Sequence, residues 1–281
     1  MAKRPKIEFY PSAMTVSGSD SGGGTGIAAD LRTFNALGVF GTCAITAAVS
    51  QNPAGIHRID PLAPEAVFSQ IKAVKEKIAV RWIKTGMLFS AETVSETAGA
   101  IKKFQLKTVC DPEIFSAGGK RLLDDEAVTA MKELLLGQSS WIMPGIKEAE
   151  LLGGDPVKNL DDMMKAAGNL SKTYNSAVWL KGDTIAGNKA VDVIAREGKL
   201  YTISSPRPEL PPYSAHGAGS TLSAALTAML ALDLPWKQAV CESKAFVYGS
   251  LTQTVEIGPG TVAMYPPTED TLNLIKLQEV E

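Results

Sequence analysis

Short apolar runs alternate with stretches of helical periodicity along almost the whole chain, and that alternation leaves few folds open. Residues 12–18 (SAMTVSG), 42–50 (TCAITAAVS), the start of RWIKTGML, 107–112 (KTVCDP), SSWIMP and AVWLKGD are nearly continuous in apolar character. Strands of that kind are buried on both faces. Between them, residues 26–38 place Leu31, Phe34 and Leu37 on one helical face, with Gly38 as a C-cap. Helices are also expected over 64–79, 91–104, 124–136, from about 146, and over 161–174. AVDVIAREGKLYTISS predicts two strands around a Glu-Gly-Lys turn, PRPELPPYS a loop, and 218–230 and 236–254 two long helices. Repeated βα units imply an α/β fold: a central, mostly parallel sheet with helices on both faces.

No repeat, low-complexity tract or linker divides the chain. Its 281 residues are therefore expected to form one domain, with 1–11 a flexible N-terminal extension. A hydrophobic content of 45% supports a substantial core, and a net charge of −2 argues against nucleic acid or an anionic membrane as partner. Cys43, Cys110 and Cys241 are odd in number and form no CxxC pair, which suits free thiols in a reducing compartment. The basic N-terminus lacks the apolar stretch of a secretory signal. No run reaches the roughly 18–20 apolar residues that span a bilayer. The expectation is a soluble, cytoplasmic protein.

In open α/β sheets, ligands bind beyond the carboxyl ends of the strands. Asp20, Gln51, Lys84, Asp111, Lys181 and the turn 217–220 fall there. Gly217-Ala218-Gly219 opens a helix. Taken alone, it is either an anion site, with free N–H groups and the helix dipole aimed at one spot, or a tight turn with no ligand. The GxxxxGK[ST] pattern of a Walker A loop is absent. The stretch GSDSGGGTG (18–26) holds five glycines in nine positions, more than a turn needs. A small ligand lying against bare backbone explains them better than a dinucleotide, because the GxGxxG spacing is not met.

Two blocks carry a family resemblance. SGSDSGGGTGIAADLRTFNALGVFGTCAITAAVSQNPAGI resembles the N-terminal block of the hydroxymethylpyrimidine/phosphomethylpyrimidine kinases of thiamine biosynthesis, and HGAGSTLSAAL resembles their C-terminal anion-hole block. IKTGML, DDEAVTAMKELLL, PGIKEAELLGG and WLKGD follow in the expected order between them. The resemblance runs from about Met14 to Pro259 and implies a ribokinase-like fold; pyridoxal kinases are close relatives. It also implies ATP and Mg²⁺ as cofactors, a small-molecule pyrimidine as substrate, and a homodimer.

Carried over residue by residue, the resemblance puts Gly18, Asp30, Gln51 and Met87 around the pyrimidine. The Gln51 amide offers a donor and an acceptor together, which suits an aminopyrimidine edge. Related pyridoxal kinases can carry an apolar residue there. Asp111 and Glu148 would hold Mg²⁺ through water. Lys181, with Asp183 and Gly219, would contact ATP. Gly217, Ala218 and Gly219 would form the anion hole, and Ser220 occupies the catalytic position. His216 and Tyr213 either cover the site from the proline-rich loop or simply pack there; His57 is given no role.

The chain departs from that family in four places. Ser220 stands where the family usually has cysteine and the wider superfamily aspartate. A serine hydroxyl is a poor general base. Gly145 replaces the asparagine of Asn-x-x-Glu, Glu113 replaces an apolar residue near the pocket, and Ala117 replaces a common lysine. Three readings follow: a pyrimidine kinase with an altered site, a kinase of another hydroxymethyl substrate with Glu113 reading a new group, or a pyrimidine-binding protein with weak chemistry; among enzymes, a pyridoxal-type kinase is the alternative to the pyrimidine kinase.

Overall fold

The computed structural model describes residues 9–153, 155–182, 187–211 and 214–280. In chain order the elements begin with β1 (Ser12–Ser17), α1 (Gly26–Ala36), β2 (Phe40–Ile45), β3 (Ala47–Asn52), β4 (Gly55–Pro61), α2 (Pro64–Lys75), β5 (Trp82–Thr85) and α3 (Ala91–Phe104). They continue with β6 (Lys107–Cys110), α4 (Asp125–Ala130), β7 (Trp141–Ile142), α5 (Ile146–Gly153), α6 (Leu160–Tyr174) and β8 (Ala177–Leu180). The last are β9 (Lys189–Arg196), β10 (Lys199–Pro206), α7 (Ala218–Ala231), α8 (Trp236–Thr252), β11 (Val255–Gly258), β12 (Thr261–Ala263) and β13 (Lys276–Glu279).

Nine strands form one sheet in the order β13-β10-β9-β8-β7-β6-β5-β1-β2. From β2 to β8 every pairing is parallel; β8, β9, β10 and β13 pair antiparallel. The mostly parallel sheet expected from the βα alternation is therefore present, with an antiparallel extension at one side. Side-chain period two divides its core. Met14, Val16, Ile83, Val178 and Leu180 face one apolar layer; Ala13, Trp82, Trp179 and Phe34 of α1 face the other. Helix α7 lies against β1, β5, β6, α1 and α8 and is buried from Ser220 to Ala231. Its run of Ala, Ser and Thr side chains lets it sit that deeply. No described helix is long and apolar enough to cross a membrane.

Three local expectations are corrected. Residues 42–50 are not one strand. The chain leaves the main sheet at Thr46, whose N–H donates to Ser17 O at 2.9 Å and whose carbonyl accepts from Leu62 N–H at 2.8 Å. It then enters the β3–β4 hairpin, a separate two-stranded sheet. β3 alternates buried and exposed residues, so it covers the molecule with one face only. The helix expected over 124–136 is α-helical only to Ala130; a wider turn over Met131–Leu135 and a tighter one over Leu136–Gln138 follow. The expected helical stretch to 79 ends at Lys75.

Candidate active site

A cleft of about 1050 Å³ opens where the parallel strands end. Gly18 follows β1, Met87 lies just beyond β5, Asp111 follows β6, Gly145 lies beyond β7 and Lys181 follows β8; all five line it. The β3–β4 hairpin adds Val49, Gln51 and Ile56 to one wall. A Cβ on Gly18 would lie 2.6 Å from Met87 Cε, so the flexible end of Met87 would have to shift to admit one. The Gln51 backbone is tied to Ser21 Oγ by two hydrogen bonds of 2.7 and 2.9 Å. Its side-chain amide makes no hydrogen bond to a described residue. Asp30, expected in the pyrimidine pocket, does not line the cleft. It is fully buried behind it on α1.

Asp30 belongs to a charged cluster instead. Lys84, fully buried on β5, donates to Asp30 Oδ1 and Oδ2 at 2.8 and 2.9 Å and to Ser220 Oγ at 3.1 Å. Its Nζ lies 3.5 Å from Glu113 Oε1. Ser220 Oγ donates to Glu113 Oε1 at 2.6 Å, and Met87 N–H donates to Glu113 Oε2 at 2.8 Å. Burial works against the Lys84 charge, but Asp30, Glu113 and Asp111 outweigh it and hold its pKa above the usual lysine range. Burial likewise opposes the Glu113 anion, yet Lys84, Ser220 and Met87 N–H bring its pKa below the usual value. Asp30 goes the other way: burial, aided by Glu113, pushes it up to about 6 in spite of Lys84.

A second cluster lies along the same cleft. Lys181 Nζ donates to Asp111 Oδ1 at 2.9 Å and Ser223 Oγ to Asp111 Oδ2 at 2.9 Å. Glu148, near the start of α5, accepts from Ile114 N–H and Gly145 N–H, both at 2.8 Å. Burial raises its pKa to about 7; Lys181 lowers it and Asp111 adds to the rise. Among the described residues no group of three or more His, Cys, Asp or Glu gathers as a direct metal site. All four oxygens of Asp111 and Glu148 already accept hydrogen bonds. Each keeps a spare lone pair, which suits the waters of a hydrated cation. A Cβ on Gly145 would meet only Glu148 Oε2, at 3.7 Å, so nothing in the fold demands glycine there.

The two glycine turns differ. In the first, Asp20 accepts from the N–H groups of Gly22, Gly24 and Thr25 at 2.7–2.9 Å. A Cβ on Gly26 would strike Gly18 O, and one on Gly24 would strike the His216 ring. In the second, Gly217 has φ 87° and faces the Gly24 carbonyl so closely that a Cβ would overlap it. The Ala218 N–H is spent on Ala215 O at 3.1 Å, so of the three anion-hole residues expected, this one has no free donor. The N–H groups of Gly219 and Ser220 at the start of α7 donate to no described residue. His216 lines the cleft; its Nε2 is 3.5 Å from Asp20 Oδ2 and makes no hydrogen bond to a described residue. Ala117 also lines the cleft. Asp183 and Tyr213 lie outside the described residues.

Sequence reasoning passed over the far end of the cleft, lined by Asp192, Arg207, Lys244, Val247, Tyr248 and Leu251. Asp192 accepts from Trp179 Nε1 at 2.9 Å, Gly182 N–H at 3.0 Å and Lys244 Nζ at 2.7 Å. The signal available was one aspartate inside the otherwise apolar run VDVIA.

A ribokinase-like sheet, a cleft at its strand ends and a helix N-terminus with free N–H groups define the class: a small-molecule phosphotransferase. The chain matches the phosphomethylpyrimidine kinase family over residues 20–265 and belongs to it. It is 39% identical to the hydroxymethylpyrimidine/phosphomethylpyrimidine kinase of Bacillus subtilis over 249 residues, 88% of this chain and 92% of that protein. Among solved structures it is similar to the phosphomethylpyrimidine kinase of Clostridium difficile, with TM-score 0.75, 34% identity, and 84% and 97% of the two chains covered. It is also similar to an ADP complex of Bacillus subtilis pyridoxal kinase, with TM-score 0.84, 32% identity, and 92% and 98% covered.

Proposed function

We propose that the chain transfers the γ-phosphoryl group of ATP to the hydroxymethyl oxygen of 4-amino-5-hydroxymethyl-2-methylpyrimidine, to the phosphate of the resulting monophosphate, or to both in turn, in thiamine biosynthesis. The observation that carries the substrate is Gln51. Its amide lines the cleft and is not consumed by the backbone, so a donor and an acceptor are left for an aminopyrimidine edge. Gly18, Val49 and Met87 give that ring an apolar bed.

In this reading Lys181 exchanges part of its contact with Asp111 for ATP phosphates, and the N–H groups of Gly219 and Ser220 meet the transferred phosphoryl group. Mg²⁺, held through its waters by Asp111 and Glu148, would neutralise phosphate charge. Val247, Tyr248 and Leu251 suit a flat nucleotide base at the far end. The reading includes a cytoplasmic homodimer. Exposed Phe9, Tyr10 and Phe40, the last on edge strand β2, are the apolar groups it would cover.

Single-turnover phosphorylation with ATP and Mg²⁺, run on the pyrimidine and on pyridoxal, tests the reading. The pyrimidine is expected to react, and Gln51→Met is expected to lower its kcat/KM by about 10- to 100-fold while sparing pyridoxal. Turnover of pyridoxal alone would make the chain a pyridoxal-type kinase. Tight pyrimidine binding without turnover would make it a binding homologue.

A further inference from the structure

Two positions at which this chain departs from the kinase resemblance, Ser220 and Glu113, are in contact. The Ser220 hydroxyl donates to Glu113 Oε1 at 2.6 Å. Both residues line the cleft. A hydroxyl has one proton and two lone pairs. The proton of Ser220 goes to Glu113, and one lone pair accepts from Lys84 Nζ at 3.1 Å. One acceptor position is left.

Three further features set Glu113 apart from an ordinary ion-pair partner. Lys84 makes its direct hydrogen bonds to both oxygens of Asp30, at 2.8 and 2.9 Å, whereas Glu113 lies 3.5 Å away. The two Glu113 oxygens have separate tasks: Oε2 is held by Met87 N–H at 2.8 Å, and Oε1 meets Ser220. The Glu113 backbone sits at φ 41°, where a non-glycine residue is uncommon and strained.

We infer that Ser220 and Glu113 work as a pair that replaces a single general base, with Ser220 Oγ accepting the proton of the attacking alcohol while its own proton passes to Glu113 Oε1. This inference rests on the kinase reading above. As the bond from the substrate oxygen to the γ-phosphorus forms, the bond from that phosphorus to the β,γ-bridging oxygen breaks and ADP leaves. The substrate O–H proton moves to Ser220, and the serine proton moves to the carboxylate. Charge and atoms balance without another reactant. Lys84 is a positioning residue: its ammonium fixes the rotamer of Ser220 and keeps Glu113 charged.

The test compares kcat and KM of the intact protein with Glu113→Gln, Ser220→Ala, Ser220→Cys and Glu113→Gln/Ser220→Cys, using whichever alcohol the unmodified chain phosphorylates. Glu113→Gln and Ser220→Ala are each expected to lower kcat by about 10²-fold or more, with KM for the alcohol and for ATP within about threefold. Adding Ser220→Cys to Glu113→Gln is expected to restore at least about tenfold in kcat, because a thiol can ionise by itself. A structural role would move KM and thermal stability and would show no such rescue. If Glu113→Gln or Ser220→Ala keeps kcat within about threefold of the unmodified chain, the pair is overturned. Turnover of pyridoxal but not the pyrimidine would defeat the substrate assignment alone, and the same variants would then judge the pair on pyridoxal. Turnover of neither overturns both.

Discussion

The glycine turns at 18–26 and 217–220 resemble each other in sequence and differ in what they do with their backbone. In the first, the glycines mainly serve the protein, although Gly26, which lines the cleft, also has an N–H that donates to no described residue. The Asp20 carboxylate takes the N–H groups of Gly22, Gly24 and Thr25, and Gly26 is packed on the Gly18 carbonyl. In the second, Gly217 also serves the protein, by lying against Gly24 at φ 87°. Gly219 and Ser220, however, keep N–H groups that no described residue uses. Glycine content alone therefore does not mark a ligand. What marks it is the count of N–H groups left once internal acceptors are subtracted. Lys84 joins the two regions, reaching Asp30 behind the first turn and Ser220 in the second.

The largest effect should come from Gly217→Ala. The new methyl would overlap the Gly24 carbonyl at a φ of 87°. A loss of about 4 kcal/mol or more, or roughly 10 °C in Tm for a chain of this length, is expected by thermal denaturation. Gly219→Ala is the contrast. Its Cβ would lie 3.5 Å from Lys181 Nζ, an ordinary contact, so stability should hold. If the second turn meets phosphate, kcat/KM for ATP should still fall about tenfold. Full activity in Gly219→Ala would erase the difference between the turns. Next in size is Lys84→Met, which leaves the fully buried Asp30 and the part-buried Glu113 without their cation. About 3–5 kcal/mol should be lost in urea denaturation, and part of it should return when Asp30→Asn is added. No recovery in the double variant would mean that the link between the turns is packing, not charge.

Much of this frame was legible in the sequence. The buried strands and their order follow from continuous apolar runs, and Asp111, Lys181 and the start of α7 were placed at strand ends by topology alone. The β3–β4 hairpin was missed because residues 42–50 stay apolar across the point where the chain changes sheets; only the alternation from Ala47 onward marks it. Asp30 was misplaced because a resemblance transfers position along the chain, not the direction of a side chain. The meeting of Glu113 with Ser220 spans 107 residues, and no local pattern announces a contact of that kind.

The smallest effect separates, by pH, the carboxylate of the first turn from Glu148 across the cleft. Burial opposes the Asp20 charge, but His216 and the N–H groups of the first turn bring its pKa below the model-peptide value of 3.8. A depressed carboxyl contributes stability above its unfolded value, and that contribution is lost as the pH falls through the folded one. Glu148 is raised by burial from 4.5 to about 7. A raised carboxyl contributes stability below its unfolded value, and that contribution is lost as the pH rises through the folded one. Between about pH 4.5 and 7 the native state therefore binds more protons at Glu148 than the unfolded chain does, and stability falls with rising pH by about 1–3 kcal/mol. Asp30, raised from 3.8 to about 6, adds to the same slope. In metal-free buffer, Glu148→Gln should be less stable overall, because one backbone N–H loses its acceptor, and should flatten the slope most near pH 7, where Asp30 has largely titrated. Asp20→Asn should leave that slope alone and reduce the loss of stability below about pH 4. Parallel pH profiles of Tm in the two variants would mean that the two carboxylates respond as one unit.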